Sequence, residues 1–112
     1  MLIHKFKERT SKSKYKNVRV EVDGFKFDSK AEARYYGELK LRQIAGDIKY
    51  FLRQVPFHLP GNIVYRCDFS VFENNGDIRY IDVKGVITDK YKMKKKLVEA
   101  LYPIKIEEVF NA

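Results

Sequence analysis

The chain has 112 residues, the length of one domain. Lys and Arg total 23 against 15 Asp and Glu, a formal charge of +8, and the 45% hydrophobic content supplies a core and excludes wholesale disorder. Cys67 is the one cysteine, which excludes an internal disulfide and a Cys-based zinc finger, and the longest run without Asp, Glu, Lys or Arg, residues 54–65, is too short and polar to cross a membrane.

The first residues run straight into cations with no apolar signal segment, so a cytoplasmic protein is expected. Over residues 1–16, Lys5, Lys7, Arg9, Lys12, Lys14 and Lys16 stand against Glu8 alone, without helical or strand periodicity. This reads as a flexible basic arm ahead of a domain at 17–112. Val18, Val20 and Val22 alternate with Arg19 and Glu21, and Asp23-Gly24 turns the chain into Phe25–Phe27, a hairpin signature. Ser29 is the expected N-cap of a helix that runs to about Ala45 and stops at Gly46. Residues 48–59 read as extended, broken by Pro56 and ending at Pro60-Gly61. Residues 64–72 and 78–83 are strand-like and joined through Asn74-Asn75-Gly76. Thr88 caps a second helix that ends before Pro103, with Met93, Leu97, Ala100 and Leu101 on one face. Residues 104–109 form a closing strand. The order predicts an α/β (α+β) fold, a single layered domain with a central mixed β-sheet flanked by helices.

The pairing of the two middle strands decides where two acids fall. If Asn74, Asn75 and Gly76 make a three-residue loop, Glu73 pairs with Asp77 and Asp68 lies opposite Asp82. A two-residue loop would put the aspartates on opposite faces, because side chains alternate along a strand. The apolar pattern selects the first register: only there do Cys67, Phe69 and Val71 share a face with Ile81 and Val83. Asp68, Asp82 and Lys84 then share the other face. Like charges opposite each other destabilise a ladder, so a cation is expected between them. Lys84 is one candidate and Mg²⁺, a hard ion that takes one or two carboxylates and water, is another. The alternative is a merely polar, open sheet face.

Glu32 carries two readings. Ser29-Lys30-Ala31-Glu32 fits a capping box. Glu32 also shares a helical stripe with Tyr35, Tyr36 and Leu39, which turns a carboxylate inward. His4 and His58 stand isolated, and Cys67 falls on the core face as a small hydrophobe. The basic arm and the second-helix cluster Lys90, Lys92, Lys94, Lys95 and Lys96, of which Lys92, Lys95 and Lys96 are the expected contacts, suit a polyanion, since each neutralised phosphate releases counterions. A solvated charged surface is the plain alternative.

Glu32 on the first helix, Asp68 within Tyr65-Arg66-Cys67-Asp68-Phe69, and Asp82-Val83-Lys84 on the next strand resemble the PD-(D/E)xK nuclease superfamily. More closely, the chain looks like a family of small phage-encoded nuclease-like proteins, through Ser29–Glu32, Gln54-Val55-Pro56-Phe57, Asp82-Val83-Lys84-Gly85 and residues 88–97. The arrangement is also similar to the phage junction-resolving (Holliday junction) endonuclease and to the endonuclease subunit of Tn7-like transposases. Cys67 stands where the motif has Pro, and Asp82 where Glu is commoner. The resemblance implies a restriction-endonuclease-like core and hydrolysis of DNA phosphodiester bonds with Mg²⁺, Mn²⁺ substituting. It implies that Asp68, Asp82 and the Val83 carbonyl hold the metal, that Lys84 orients or helps deprotonate the attacking water, and that Glu32 completes the site or a second metal position. Gln54 is a second-tier candidate on the neighbouring strand. The expected activity is that of a phage-derived endodeoxyribonuclease of the host cytoplasm acting on branched or recombining DNA, with a homodimer or a nuclease-complex partner. The rival expectations are a non-catalytic DNA-binding module of the same fold and a nuclease subunit of a transposition or packaging complex.

Overall fold

In the computed structural model, which describes residues 7–10 and 18–110, the chain opens with β1 (Lys7–Thr10), β2 (Val18–Val22) and β3 (Phe25–Phe27) in one antiparallel sheet of that order. Asp23 and Gly24 both take left-handed backbone, φ 54° and 81°, as a tight hairpin turn demands. The alternation of β2 buries Val20 opposite Phe27, each about 1% exposed. β1 corrects the reading of an unstructured arm at four residues. A polar segment has no periodicity to read, yet it can pair along the edge of β2 through backbone alone. Lys7 and Arg9 belong to β1, while Lys5, Lys12, Lys14 and Lys16 lie outside the described residues.

Ser29 caps α1 (Lys30–Ile44) as expected, its side chain accepting from the Glu32 amide at 3.1 Å. Gly46, with φ 81°, follows the last turn. Glu32, Ala33, Tyr35, Tyr36 and Leu39 are the buried face.

The second sheet has the order β4 (Ile48–Leu59), β5 (Ile63–Glu73), β6 (Ile78–Lys84) and β7 (Ile106–Phe110). The first three are antiparallel neighbours; β7 runs parallel to β6 and is reached through α2 (Asp89–Leu101). Together these form a mixed α+β domain. The expected break at Pro56 does not occur, and Pro56 sits in register opposite Arg66. β4 is an edge strand, where a residue without an N–H can face the open side.

Glu73 N donates to Asp77 O at 2.9 Å, and Gly76 has φ 97°, so Asn74-Asn75-Gly76 is the three-residue loop. Phe69 pairs with Ile81 and Phe72 with Ile78, the register the apolar pattern selects.

Thr88 accepts from the Tyr91 amide at 3.1 Å and caps α2 as expected. The face that α2 buries differs from the expected one. Tyr91 and Val98 are buried and Leu97 packs partly, whereas Met93 and Leu101 are 61% and 53% exposed. Between Tyr91 and Val98 lie Lys94 and Lys95, half-buried, with Lys95 Nζ on Glu108 at 3.1 Å. Lysine stems cover apolar surface while their heads stay wet or paired, so they replace the apolar stripe.

The core has two clusters. One joins α1 and the hairpin to Phe69, Val71, Ile81 and Val83; the other joins α2 to Phe57, Tyr65, Cys67 and Ile106. β5 feeds both, and the changeover falls at Asp68.

Candidate acidic site

Regular pairing of β5 stops on both sides at Asp68. Toward β6 the ladder begins at Phe69–Ile81; toward β4, Arg53–Phe69 and Val55–Cys67 are paired while Gln54, between them, has φ 51°. A left-handed glutamine inside a strand is strained backbone of the kind that persists at functional sites. Side chains take over the hydrogen bonding across the opening. Asp68 N donates to Asp82 Oδ1 at 2.9 Å, and Val83 N donates to Asp68 Oδ2, also at 2.9 Å. Each carboxylate thus accepts an amide of the opposite strand, which fixes both without a cation.

Glu32 enters from α1. Gln54 Nε2 donates to Glu32 Oε2 at 3.2 Å and to Asp68 Oδ1 at 3.4 Å, so one amide joins the helix acid to the strand acid. The capping and inward readings of Glu32 both hold: its backbone N–H is capped by Ser29 and its side chain is buried. Lys84 takes the same side of β6 as Asp82, and its Nζ stands 3.9 Å from the Tyr91 ring centroid, a cation–π contact.

The electrostatics follow from burial. Glu32 is pushed up to about 8, first by burial and then by the charges of Asp68 and Asp28. Burial also raises Asp68 and Asp82, opposed by the Val83 and Asp68 amides and by the Lys84 charge. Asp82 is 1% exposed, and its Oδ2 is buried and accepts no hydrogen bond. Tyr91 Oη stands near enough to lower the proton affinity of Asp82, without hydrogen-bond geometry.

Asp68, Gln54 and Lys84 open onto a cleft of about 440 Å³ whose other walls include Asp28, Tyr65, Arg66, Lys90, Tyr91 and Lys94. Asp82 and Glu32 do not line it and reach it through their contacts to Asp68 N and Gln54 Nε2. Val83 supplies its amide to Asp68. Glu32, expected to complete the site, is separated from Asp68 by the Gln54 amide, which hydrogen-bonds to both. Among the described residues, no three His, Cys, Asp or Glu side chains are grouped so as to hold a metal ion.

The cations are also redistributed. Lys92, Lys95 and Lys96 line a separate hollow with Glu99 and Glu108. Arg66, Lys90 and Lys94 border the acidic cleft instead. Arg66 alternates with Asp68 on β5, and Lys90 and Lys94 are four apart on α2, a spacing that puts them on one helix face. Lys90 and Lys94 belong to the basic cluster of α2, and for Arg66 the alternation with Asp68 was the available signal. Cys67 is buried, with its thiol pushed up to about 12 by burial, and is an inert core residue. His58 lies on β4 away from the cleft lining, its carbonyl accepting from Tyr102 Oη at 2.9 Å.

Among the described residues no helix is long and apolar enough to cross a membrane. A search of the curated proteins finds no match. The family model described as "Protein of unknown function (DUF1064)" matches residues 12–110, and the chain belongs to that family.

Proposed function

We propose that the chain is a Mg²⁺-dependent endodeoxyribonuclease that hydrolyses phosphodiester bonds in branched or recombining DNA. The observation that carries this reading is the Asp68–Asp82 pair: two carboxylates from neighbouring strands, cross-held by strand amides, at the foot of a cation-walled cleft. The donor set fits a hard divalent ion. Asp82 Oδ2 is a buried acceptor with no hydrogen bond, and Mg²⁺ needs only one or two carboxylates when water fills its other positions. Asp68 and Asp82 would hold the ion, with the Val83 carbonyl as a further donor and Mn²⁺ as a substitute, while Glu32 is joined to Asp68 only through the Gln54 amide. Bound there, the ion would stabilise charge developing on the phosphate and make water a better nucleophile.

The remaining roles belong to the chain. Lys84, pinned over Tyr91, orients the attacking water or takes part in its deprotonation. Arg66, Lys90 and Lys94 hold phosphates on either side of Asp68, offsetting the repulsion between the acids and a polyanion. A second reading, a DNA-binding module without catalysis, draws support from the depth of Asp82 and from the Gln54 amide that occupies the space between Glu32 and Asp68.

Incubation with labelled linear, flapped and four-way DNAs, with and without Mg²⁺, separates the two readings. Cleavage that requires Mg²⁺ and favours the branched substrates is expected. Binding of all three without cleavage under any divalent ion would overturn the enzyme and leave the module.

A further inference from the structure

We propose that Gln54 is the positioning residue of the acidic site: a left-handed kink in β4 aims one side-chain amide between two carboxylates and sets their separation. The backbone is the first reason. Gln54 is one of three described non-glycine residues with positive φ; Asp23 and Asn62, the other two, sit in turns where such angles are routine. Gln54 sits inside β4, where its neighbours Arg53 and Val55 keep the β5 register, so no inserted residue forces the kink. Glutamine gains nothing from left-handed backbone, and something else must hold it there.

The side chain supplies that reason. A glutamine Nε2 carries two protons, and here two acceptors lie within reach, Glu32 Oε2 at 3.2 Å and Asp68 Oδ1 at 3.4 Å. One proton to each makes a neutral fork between two acids that would otherwise repel across a buried gap. Asp68 then has both oxygens fixed, Oδ1 by Gln54 and Oδ2 by the Val83 amide, so its carboxylate plane cannot rotate. The register of Arg53 and Val55 sets position 54 opposite Asp68, and from the left-handed backbone its amide reaches Glu32 on α1 as well. The kink is therefore kept for the fork. Its effect on chemistry rests on the nuclease reading; the fork itself does not.

The test uses the full chain and two readouts. In proton–nitrogen correlation spectra of metal-free protein, both Gln54 side-chain protons are expected to lie away from the positions of solvent-exposed glutamines. Glu32→Gln should shift one of them and Asp68→Asn the other. Gln54→Gly, which relieves the backbone and deletes the fork, should change the melting temperature only slightly, because the relieved strain offsets the lost hydrogen bonds. The same variant should lower the single-turnover cleavage rate at least tenfold, with DNA affinity measured in EDTA changed less than twofold. Gln54→Asn, which tolerates positive φ but falls one methylene short, should be equally stable and equally slow. Side-chain protons that ignore both acid variants, or a Gln54→Gly chain that is much less stable than wild type and cuts at the wild-type rate, would overturn the inference. If wild type cuts no DNA, the nuclease reading fails alone, and the spectra and melting curves still decide the fork.

Discussion

The β5–β6 hairpin carries acids at both ends, and the ends are built on opposite rules. Near the loop, Arg79 holds Glu107 with two hydrogen bonds, Nε at 3.0 Å and Nη2 at 2.8 Å, and reaches Glu73 at 3.8 Å. Glu107 is accordingly drawn below the usual carboxylate range by its partner. At the far end Asp68, Asp82 and Glu32 are met by amides, sit deeper, and are all raised. At one end, Arg79 of β6 and Glu107 of β7 thus make a solvated ion pair. At the other, Asp68, Asp82 and Glu32 are buried and take amides as their hydrogen-bond partners, while Lys84 stands over the Tyr91 ring. Buried acids raised together mark a candidate functional site, and in the proposed reading the two aspartates hold a bound cation.

The largest effect should come from Asp82→Asn. It keeps the oxygen that accepts from Asp68 N and removes the buried charge, so cleavage should fall by at least about a thousandfold, as for loss of a main electrostatic element, while DNA binding persists. Because burial raises Asp82, the variant should melt at the wild-type temperature or above it. Rate assays on saturated enzyme and a melting curve check both halves.

Next in size is Lys84→Ala. A point charge held over Tyr91 beside the acids should act on the chemical step, and single-turnover rates should drop by about a hundredfold or more. A loss confined to affinity would place Lys84 with Arg66, Lys90 and Lys94 as a phosphate contact.

Glu32 sets a pH signature. Its folded value of about 8 lies above its unfolded one, so the folded state binds the extra proton. The associated stability is fully present below the unfolded value near 4.5 and is lost as pH rises through about 8. Glu32→Gln should therefore stabilise the fold by about 2 kcal/mol at pH 8–9, discounted for solvent reaching the cleft, and by almost nothing near pH 5. Thermal melts across that range read it directly.

Arg79→Met, at the paired end, should do least. An exposed ion pair contributes about 0–1 kcal/mol, and cleavage should not change. Since Glu107 is lowered, its contribution is present above the unfolded value and fades as pH falls through the folded one, the opposite slope to Glu32.

How far these features could be read from the residues follows the physics of each. The Asp23-Gly24 turn, the Ser29 and Thr88 caps and the Asn74-Asn75-Gly76 loop are local chemistry, and each appears where expected. The Asp68–Asp82 register was legible because one face of the hairpin is apolar and a one-residue slip would expose it. The buried face of α2 was not legible, because Tyr91 and the stems of Lys94 and Lys95 do work that a count of Met and Leu assigns elsewhere. β1 and the passage of β4 through Pro56 depend on which strands lie at edges, a tertiary fact with no local signal. At the site, Asp68, Asp82 and Lys84 followed from alternation, whereas the kink at Gln54 runs against its own residue type.

A Mn²⁺ titration, followed by the electron paramagnetic resonance of the free ion, tests the contrast between the two ends most directly. Wild type and Arg79→Met should each take up the ion, and Asp82→Asn should not. Equal uptake by all three, or none by wild type, would contradict a cation site at Asp68 and Asp82.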